Sequence, residues 1–144
     1  MSNNHIPAGY HTITPYVSVP GALELIDFLK TVFDAEEHEK IAAPNGKILH
    51  AEVTIGNSRL MICDPKEDTC LRTGAFYLYL ADVDASYRRA LEAGATSSME
   101  PTDMFWGDRM ATVKDSFGNE WQLATRFEEV APEELQRRLA EMFS

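Results

Sequence analysis

The residues best suited to acid–base chemistry are a histidine and two glutamates in segments where polar and apolar residues alternate. His50 and Glu52 lie two residues apart in KILHAEVTI (47–55), so in a strand both side chains point to one face. Glu120 begins a second such segment, EWQLAT (120–125). An imidazole beside a carboxylate can transfer protons near neutral pH. The pattern is equally typical of a hydrogen-bonded pocket wall, in which Glu52 pairs with an arginine such as Arg109.

A second group of chemically useful residues lies in FWGDRMATVKDSFGNEW (105–121). Phe105 and Trp106 are followed by a glycine and an Asp-Arg pair, directly before a strand-like run. In one interpretation Trp106 closes the end of a sheet, and Asp108 pairs with Arg109 or caps a turn. In the other, the two aromatic rings form a stacking wall and Arg109 orients an anionic or carbonyl group. Both interpretations stay open on the sequence alone.

The elements that must position these residues follow from hydrophobic periodicity. Apolar residues at helical spacing predict helices over 22–33 and 84–94, and the acidic C-terminal segment predicts a third helix. FWGDR is assigned to a loop. Alternation predicts strands over 13–19, 36–42, 47–55, 58–64, 75–81, 109–115 and 120–125.

The order of elements occurs twice along the chain. Tyr16 corresponds to Tyr77, and Gly56-Asn57 corresponds to Gly118-Asn119, at a nearly constant offset. We therefore predict one domain over 13–127, built from module one (13–65) and module two (74–127). An N-terminal arm (1–12) precedes it, and a C-terminal helix (128–144) packs on the body or on a partner chain.

Composition excludes several classes of protein. The 144 residues include 13 basic and 23 acidic side chains, and a net charge of −10 disfavours nucleic acid as a partner. The spacing of Cys63 and Cys70 matches no redox or zinc motif. The N-terminus lacks the pattern of a signal peptide, and no apolar run is long enough to span a membrane. These features predict a cytoplasmic protein without a membrane partner.

The repeated segments resemble the vicinal-oxygen-chelate superfamily of glyoxalases, bleomycin-resistance proteins and dioxygenases, and within it the PhnB-like branch. The resemblance covers about 13–126 and is carried by YVSVPGALELIDFLKTVFDAE, NGKILHAEVTIGNSRLMICD, LYLADVDASYRRALEAGA and FWGDRMATVKDSFGNEWQLAT. It implies an α+β, glyoxalase-like fold in which two tandem βαβββ modules form curled mixed sheets around a cup. It also implies a homodimer.

The resemblance further implies where a metal would bind. The family's ligand positions fall on Thr14, Leu60, Phe76 (or Ala75) and Gln122, of which only Gln122 could be a ligand. We therefore expect the usual metal centre to be absent, and we predict no cofactor. A noncanonical divalent metal near His50 and Glu52 stays open.

Alternation assigns one face of each predicted sheet to the helices and the other to the cup. The helix face comprises Val17, Val19, Ala51, Val53, Ala111, Val113, Trp121 and Leu123. Leu60, Ile62 and Phe76 are assigned to the cup, unless a register slip brings Tyr77 and Tyr79 there instead. The predicted ligand-binding residues are Tyr16, His50, Glu52, Phe76, Phe105, Trp106, Arg109, Glu120 and Gln122.

Three functions fit these features. The leading hypothesis is a protein that binds a small molecule without the usual metal ligands. The alternative is a glyoxalase-like lyase or isomerase that uses His50 with a carboxylate such as Glu52. In the third, the domain has only a structural or interaction role and the cup is filled. Whether the protein is an enzyme is left undecided.

Overall fold

The computed structural model describes residues 5–67 and 70–144, which form eight strands and three helices. They fall into two compact units, residues 1–74 and 75–144. Unit 1 contains β1 (Tyr16–Ser18), α1 (Ala22–Phe33), β2 (Glu36–Ala42), β3 (Ile48–Ile55) and β4 (Ser58–Cys63). Unit 2 contains β5 (Ala75–Tyr79), α2 (Val83–Glu92), β6 (Thr96–Asp103), β7 (Asp108–Lys114), β8 (Glu120–Arg126) and α3 (Pro132–Met142).

Each unit contains one four-stranded mixed sheet, ordered β1-β4-β3-β2 in unit 1 and β5-β8-β7-β6 in unit 2. The first strand of each sheet is parallel to its neighbour, and the other pairs are antiparallel. The predicted α+β fold with tandem βαβββ modules is confirmed. Of the predicted arm, 1–12, only residues 5–12 belong to the described chain.

Side chains from the sheets fix the start of each repeat helix. In unit 1 the Asp64 carboxylate accepts hydrogen bonds from the backbone N–H groups of Gly21 (3.0 Å), Ala22 (3.1 Å) and Ile48 (2.7 Å). In unit 2 Asp82 caps α2, and the Thr125 hydroxyl accepts from the Val83 N–H at 2.9 Å. These bonds satisfy helix N–H groups that have no partner within the helix.

The face of each sheet that packs on its helix is the predicted one. All eight residues assigned to the helix face are at most 1% exposed. In unit 1, Val17, Val19, Ala51 and Val53 form an apolar core with the buried side chains of α1, which include Leu25, Ile26 and Leu29. Burial of this apolar surface is the main force that stabilises the units.

Two strands have the opposite facing to the predicted one. Leu60 pairs with Val53, and Ile62 pairs with Ala51. Both Leu60 and Ile62 therefore lie on the buried face that packs on the helix. In β5, Phe76 pairs with Trp121 and stacks on its ring at 4.6 Å between centroids. The assignment of Leu60, Ile62 and Phe76 to the cup face was therefore wrong. Neighbouring residues in both stretches are apolar or aromatic. Alternation alone therefore could not show which of them face the helix.

Other differences lie at sheet edges. The stretch before FWGDR, for which alternation predicts no strand, contains β6, a mostly exposed edge strand that pairs with β7. In β3, Leu49 is the extra residue of a β-bulge opposite Ile41 and Ala42, and it is 55% exposed. A polar edge strand and a bulge both lack the regular alternation on which the prediction depended.

The C-terminal helix α3 has no buried residue, and Arg138 joins it to the turn before β7 and to the chain after β8. The Arg138 guanidinium donates to the Phe105 carbonyl at 2.9 Å and forms an ion pair with Glu128 at 2.8 Å. Within the described residues, no helix is long and apolar enough to cross a membrane.

Candidate ligand-binding site

The Glu52 carboxylate is the centre of a polar cluster on the face of the unit 1 sheet opposite α1. Its neighbour across the sheet is Met61, which in turn pairs with Tyr16 of β1. Glu52 accepts hydrogen bonds from the Tyr10 hydroxyl and from His50 Nε2, the latter at 2.8 Å. Arg59 lies 3.8 Å from the same carboxylate. The predicted proximity of His50 and Glu52 is therefore present, but the arginine beside Glu52 is Arg59.

The cluster shifts the acidity of its members. Hydrogen bonds from Tyr10 and His50 hold the pKa of Glu52 below its usual value. Burial, followed by the bond to Glu52, raises the pKa of Tyr10 to about 12. At neutral pH the carboxylate is therefore ionised and the phenol is protonated.

A cavity of about 580 Å³ lies beside this cluster and is contained in unit 1. Its lining combines the apolar residues Ile6, Pro7 and Met61 with seven residues that carry polar groups: His5, Tyr10, His11, Thr12, Thr14, Glu39 and Glu52. The volume is that of a small-molecule site.

Tyr16 and Cys63 occupy the same sheet face as Glu52. The Tyr16 hydroxyl lies 2.8 Å from Cys63 Sγ, and this contact raises the pKa of the phenol. Cys63 and Cys70 are both free thiols. Tyr16 is 52% exposed, so its ring is available on this face although it does not line the cavity.

In unit 2 the buried carboxylate of Asp108 gathers three aromatic side chains. Oδ2 accepts from the hydroxyls of Tyr77 (2.6 Å) and Tyr79 (3.1 Å) and from Trp106 Nε1 (3.1 Å). Asp108 is only 2% exposed. Burial and the bond to Asp108 raise the pKa of Tyr77 to about 12. Asp108 therefore fixes the orientation of three rings rather than pairing with Arg109.

Arg109 lies on the opposite face of β7 and contacts α2. Its guanidinium binds Asp84 through two hydrogen bonds of 3.0 and 3.1 Å and binds Asp103 at 3.0 Å. These carboxylates raise the pKa of Arg109, and its charge is fully committed to them. Arg109 thus joins α2 and β6 to β7, and the arginine beside Glu52 is Arg59 rather than the predicted Arg109.

Phe105 and Trp106 form the turn before β7. Their rings meet edge to face at 5.0 Å, and the Phe105 carbonyl accepts the bond from Arg138. Glu120 and Gln122 lie on the sheet face of Tyr77, with Gln122 donating to Glu120 at 3.4 Å. All four residues belong to unit 2, whereas the cavity is lined by unit 1 alone.

Comparison with known proteins gives the family. Residues 11–123 match the model of the Glyoxalase/Bleomycin resistance protein/Dioxygenase superfamily. The chain belongs to this superfamily. An uncharacterized protein of Mycobacterium bovis is 34% identical over 139 residues, which cover 89% of this chain and 91% of that protein. An uncharacterized protein of Mycobacterium tuberculosis has the same identity, and the match covers 82% of its length.

Solved structures share the glyoxalase-like fold at lower identity. TioX from Micromonospora sp. ML1 is 21% identical with a TM-score of 0.68, covering 81% of this chain and 99% of its own. A PhnB protein from Bacillus cereus is 19% identical with a TM-score of 0.68, covering 80% and 99%. TnmS3, an antibiotic binding protein from Streptomyces sp. CB03234, is 21% identical with a TM-score of 0.62, covering 84% and 99%. These likenesses concern the fold.

The positions at which the family resemblance implies metal ligands include Leu60 and Gln122. Leu60 is buried on the helix face, and its neighbour on the open face is the thioether Met61. In unit 2 the open-face neighbour of Gln122 is Tyr77. Across residues 5–67 and 70–144, no group of three or more His, Cys, Asp or Glu side chains is placed to hold a metal.

Several site residues were missed by the sequence reasoning. Tyr10 lies in the arm, where no periodicity points to the sheet, and Arg59 lies in a hairpin strand with an ordinary polar pattern. The sequence predicts Tyr77 and Tyr79 on the cup face only if the register of their strand slips. Their pairing with the strand of Gln122 decides their position, and single-sequence alternation contains no such pairing information.

Proposed function

We propose that this glyoxalase-superfamily protein binds a small organic molecule with a cationic end, in a site without the usual metal ligands. The observation that carries the proposal is the cavity of about 580 Å³ beside Glu52. Ile6, Pro7, Met61 and the Tyr10 ring offer apolar contact to a hydrocarbon or aromatic body, and the polar side chains around them offer orientation. The fold likeness to an antibiotic binding protein supports a binding role.

The charges of the lining residues favour a cation. The described lining residues include two carboxylates, Glu39 and Glu52, and no lysine or arginine. Glu39 is paired with Glu52 across the sheet, so the two carboxylates belong to neighbouring strands of one cavity wall. A carboxylate beside an apolar wall binds an ammonium group more strongly than it does in bulk water.

A lyase or isomerase is the second candidate, because His50 and Glu52 are in hydrogen-bond contact. Hydrogen bonds from Tyr10 and His50 lower the pKa of Glu52, which makes this carboxylate a weaker base. The cavity beside the cluster is the observation that favours binding.

The fold likeness to the PhnB protein from Bacillus cereus supports placing the chain in the PhnB-like branch. We propose a cytoplasmic homodimer with no metal cofactor. Light scattering of the purified chain checks the dimer, and elemental analysis of protein made without a metal-binding tag checks the metal.

Calorimetric titration with two probes of similar shape and opposite charge tests the binding proposal. We expect 4-phenylbutylamine to bind and 4-phenylbutyrate to bind at least about tenfold more weakly. Glu39→Gln should reduce this preference. Glu24→Gln removes the same charge from the exposed face of α1 and should leave the preference unchanged. Equal binding of both probes, or binding of neither, would contradict a cation site.

A further inference from the structure

The cavity of unit 1 has one wall made by a segment without regular structure. Six of its ten lining residues belong to the described part of the arm, residues 5–12, in which no helix or strand forms. The other lining residues are Thr14, Glu39, Glu52 and Met61. Without the arm, the site would be an open sheet face rather than a cavity.

The arm is joined to the sheet through Tyr10. The Tyr10 hydroxyl donates to Glu52, and the Arg59 guanidinium lies over the Tyr10 ring at 4.9 Å from its centroid. Among the hydrogen bonds of the described residues, this is the arm's one bond to the sheet. The other bond of the arm, from the Tyr10 N–H to the Pro7 carbonyl at 3.1 Å, closes a turn within it.

Gly9 allows the arm to approach Arg59 closely. It has a φ of +85°, and a Cβ on it would lie 2.7 Å from the end of the Arg59 side chain. The arginine is thus held between the Tyr10 ring and the Glu52 carboxylate, with Gly9 against it. Glu52 of β3 and Arg59 of β4 thus both contact the Tyr10 side chain.

We propose that Tyr10 is a positioning residue that latches the arm onto the sheet and so forms the wall of the ligand cavity. The latch follows from the contacts of Tyr10, whereas its effect on affinity rests on the proposed function. Losing the hydroxyl leaves Glu52 with His50 and Arg59 as partners, so the carboxylate is not left buried without a bond. Removing the latch should therefore open the arm without unfolding the sheet.

The effect on a ligand follows from geometry. A bound molecule contacts both the arm and the sheet, so a free arm must be ordered again each time the ligand binds. This ordering opposes binding. An arm that is already latched avoids that loss.

The test uses Tyr10→Phe in the full chain, with ¹⁵N relaxation as the first readout. We expect order parameters of residues 8–12 to fall from about 0.85 to below about 0.6, while those of β3 and β4 stay unchanged. Tyr87→Phe is the control, because it also removes a phenol hydrogen bond, the 2.8 Å bond to Ser97, in unit 2. Unchanged order in the arm of Tyr10→Phe would overturn the latch.

The second readout is the affinity for 4-phenylbutylamine. We expect Tyr10→Phe to weaken it at least about fivefold, and Tyr87→Phe to leave it unchanged. Loss of arm order with unchanged affinity would overturn the positioning role of Tyr10. If the unmodified chain does not bind the probe, the proposed function fails while the relaxation data still decide the latch. Should Tyr10→Phe fold poorly, Glu52→Ala removes the acceptor of the same hydrogen bond, and the relaxation readout alone then tests the latch because Glu52 lines the cavity.

Discussion

Two neighbouring residues, Asp108 and Arg109, show how the chemistry of a side chain depends on the face to which it points. Successive residues of a strand face opposite sides, so Asp108 meets tyrosines while Arg109 meets α2. Their adjacency in the sequence predicts an ion pair between them as one possibility. In the structure each has separate partners: Asp108 binds neutral donors, and Arg109 binds Asp84 and Asp103.

The phenol of Tyr77 provides a test at the scale of one residue. Its pKa is about 12 in the folded protein, against about 10 in an unfolded chain. A raised folded pKa stabilises the fold fully below pH 10, and the stabilisation is lost as pH rises from about 10 through 12. Tyr77→Phe should therefore reduce the alkaline decline in the free energy of unfolding.

Urea unfolding between pH 9 and pH 11.5 measures this decline. Tyr87→Phe is the matched control, because its hydroxyl is bonded to Ser97 rather than to a carboxylate. A decline in Tyr77→Phe equal to that of the unmodified chain would show that Asp108 does not hold the phenol as described.

Among the elements, the turn before β7 depends on a glycine. Gly107 has a φ of +101°, and a Cβ on it would lie 2.1 Å from the Glu128 carbonyl oxygen. Its own carbonyl accepts from the N–H groups of Phe127 (2.9 Å) and Glu128 (3.2 Å), so the two backbones cannot separate without losing these bonds. Gly107 thus joins the turn before β7 to the chain that follows β8.

Gly107→Ala should lower the free energy of unfolding by about 2 kcal/mol or more, from backbone strain and the clash together. Gly46→Ala is its control. Gly46 has a similar φ of +90°, but nothing lies within 4 Å of a Cβ there, so the loss should be roughly 1 kcal/mol. Chemical denaturation measures both, and equal losses would contradict the close approach at Gly107.

Helix α3 depends on Arg138 for its position. A helix of eleven residues is marginal by itself in water, and α3 buries no residue. Arg138→Met should therefore increase amide hydrogen exchange over Pro132–Met142 at least about tenfold. Arg137→Met should have a smaller effect, because Arg137 binds only Glu134 and Glu141 within the helix. Similar exchange in both variants would show that Arg138 does not anchor α3.

Sequence patterns predict some properties of the helices and strands but not others. Hydrophobic periodicity located all three helices and seven of the eight strands, and β6 is the strand that it did not indicate. The facing of β4 and β5 could not be read, because Leu60, Met61 and Ile62 are consecutive apolar residues, as are Phe76, Tyr77 and Leu78. Facing there is set by which partner strand each residue opposes, which is a tertiary property.

For the molecule as a whole, the family and the fold were accessible from sequence, and the site was accessible only in part. The proximity of His50 and Glu52 followed from spacing, but Tyr10 reaches Glu52 from 42 residues away. No pattern in the arm indicates such a contact. The negative net charge of −10 agrees with a cationic ligand, but the two carboxylates that line the cavity are the stronger argument.

The most direct test of the central claim is to locate a bound cation by NMR. With 4-phenylbutylamine added to the full chain, we predict intermolecular NOEs to the methyl groups of Ile6, Thr14 and Met61, which line the cavity. NOEs confined to methyl groups outside the cavity, such as those of Leu71 or Leu91, or no saturable NOEs at all, would contradict a ligand site in unit 1.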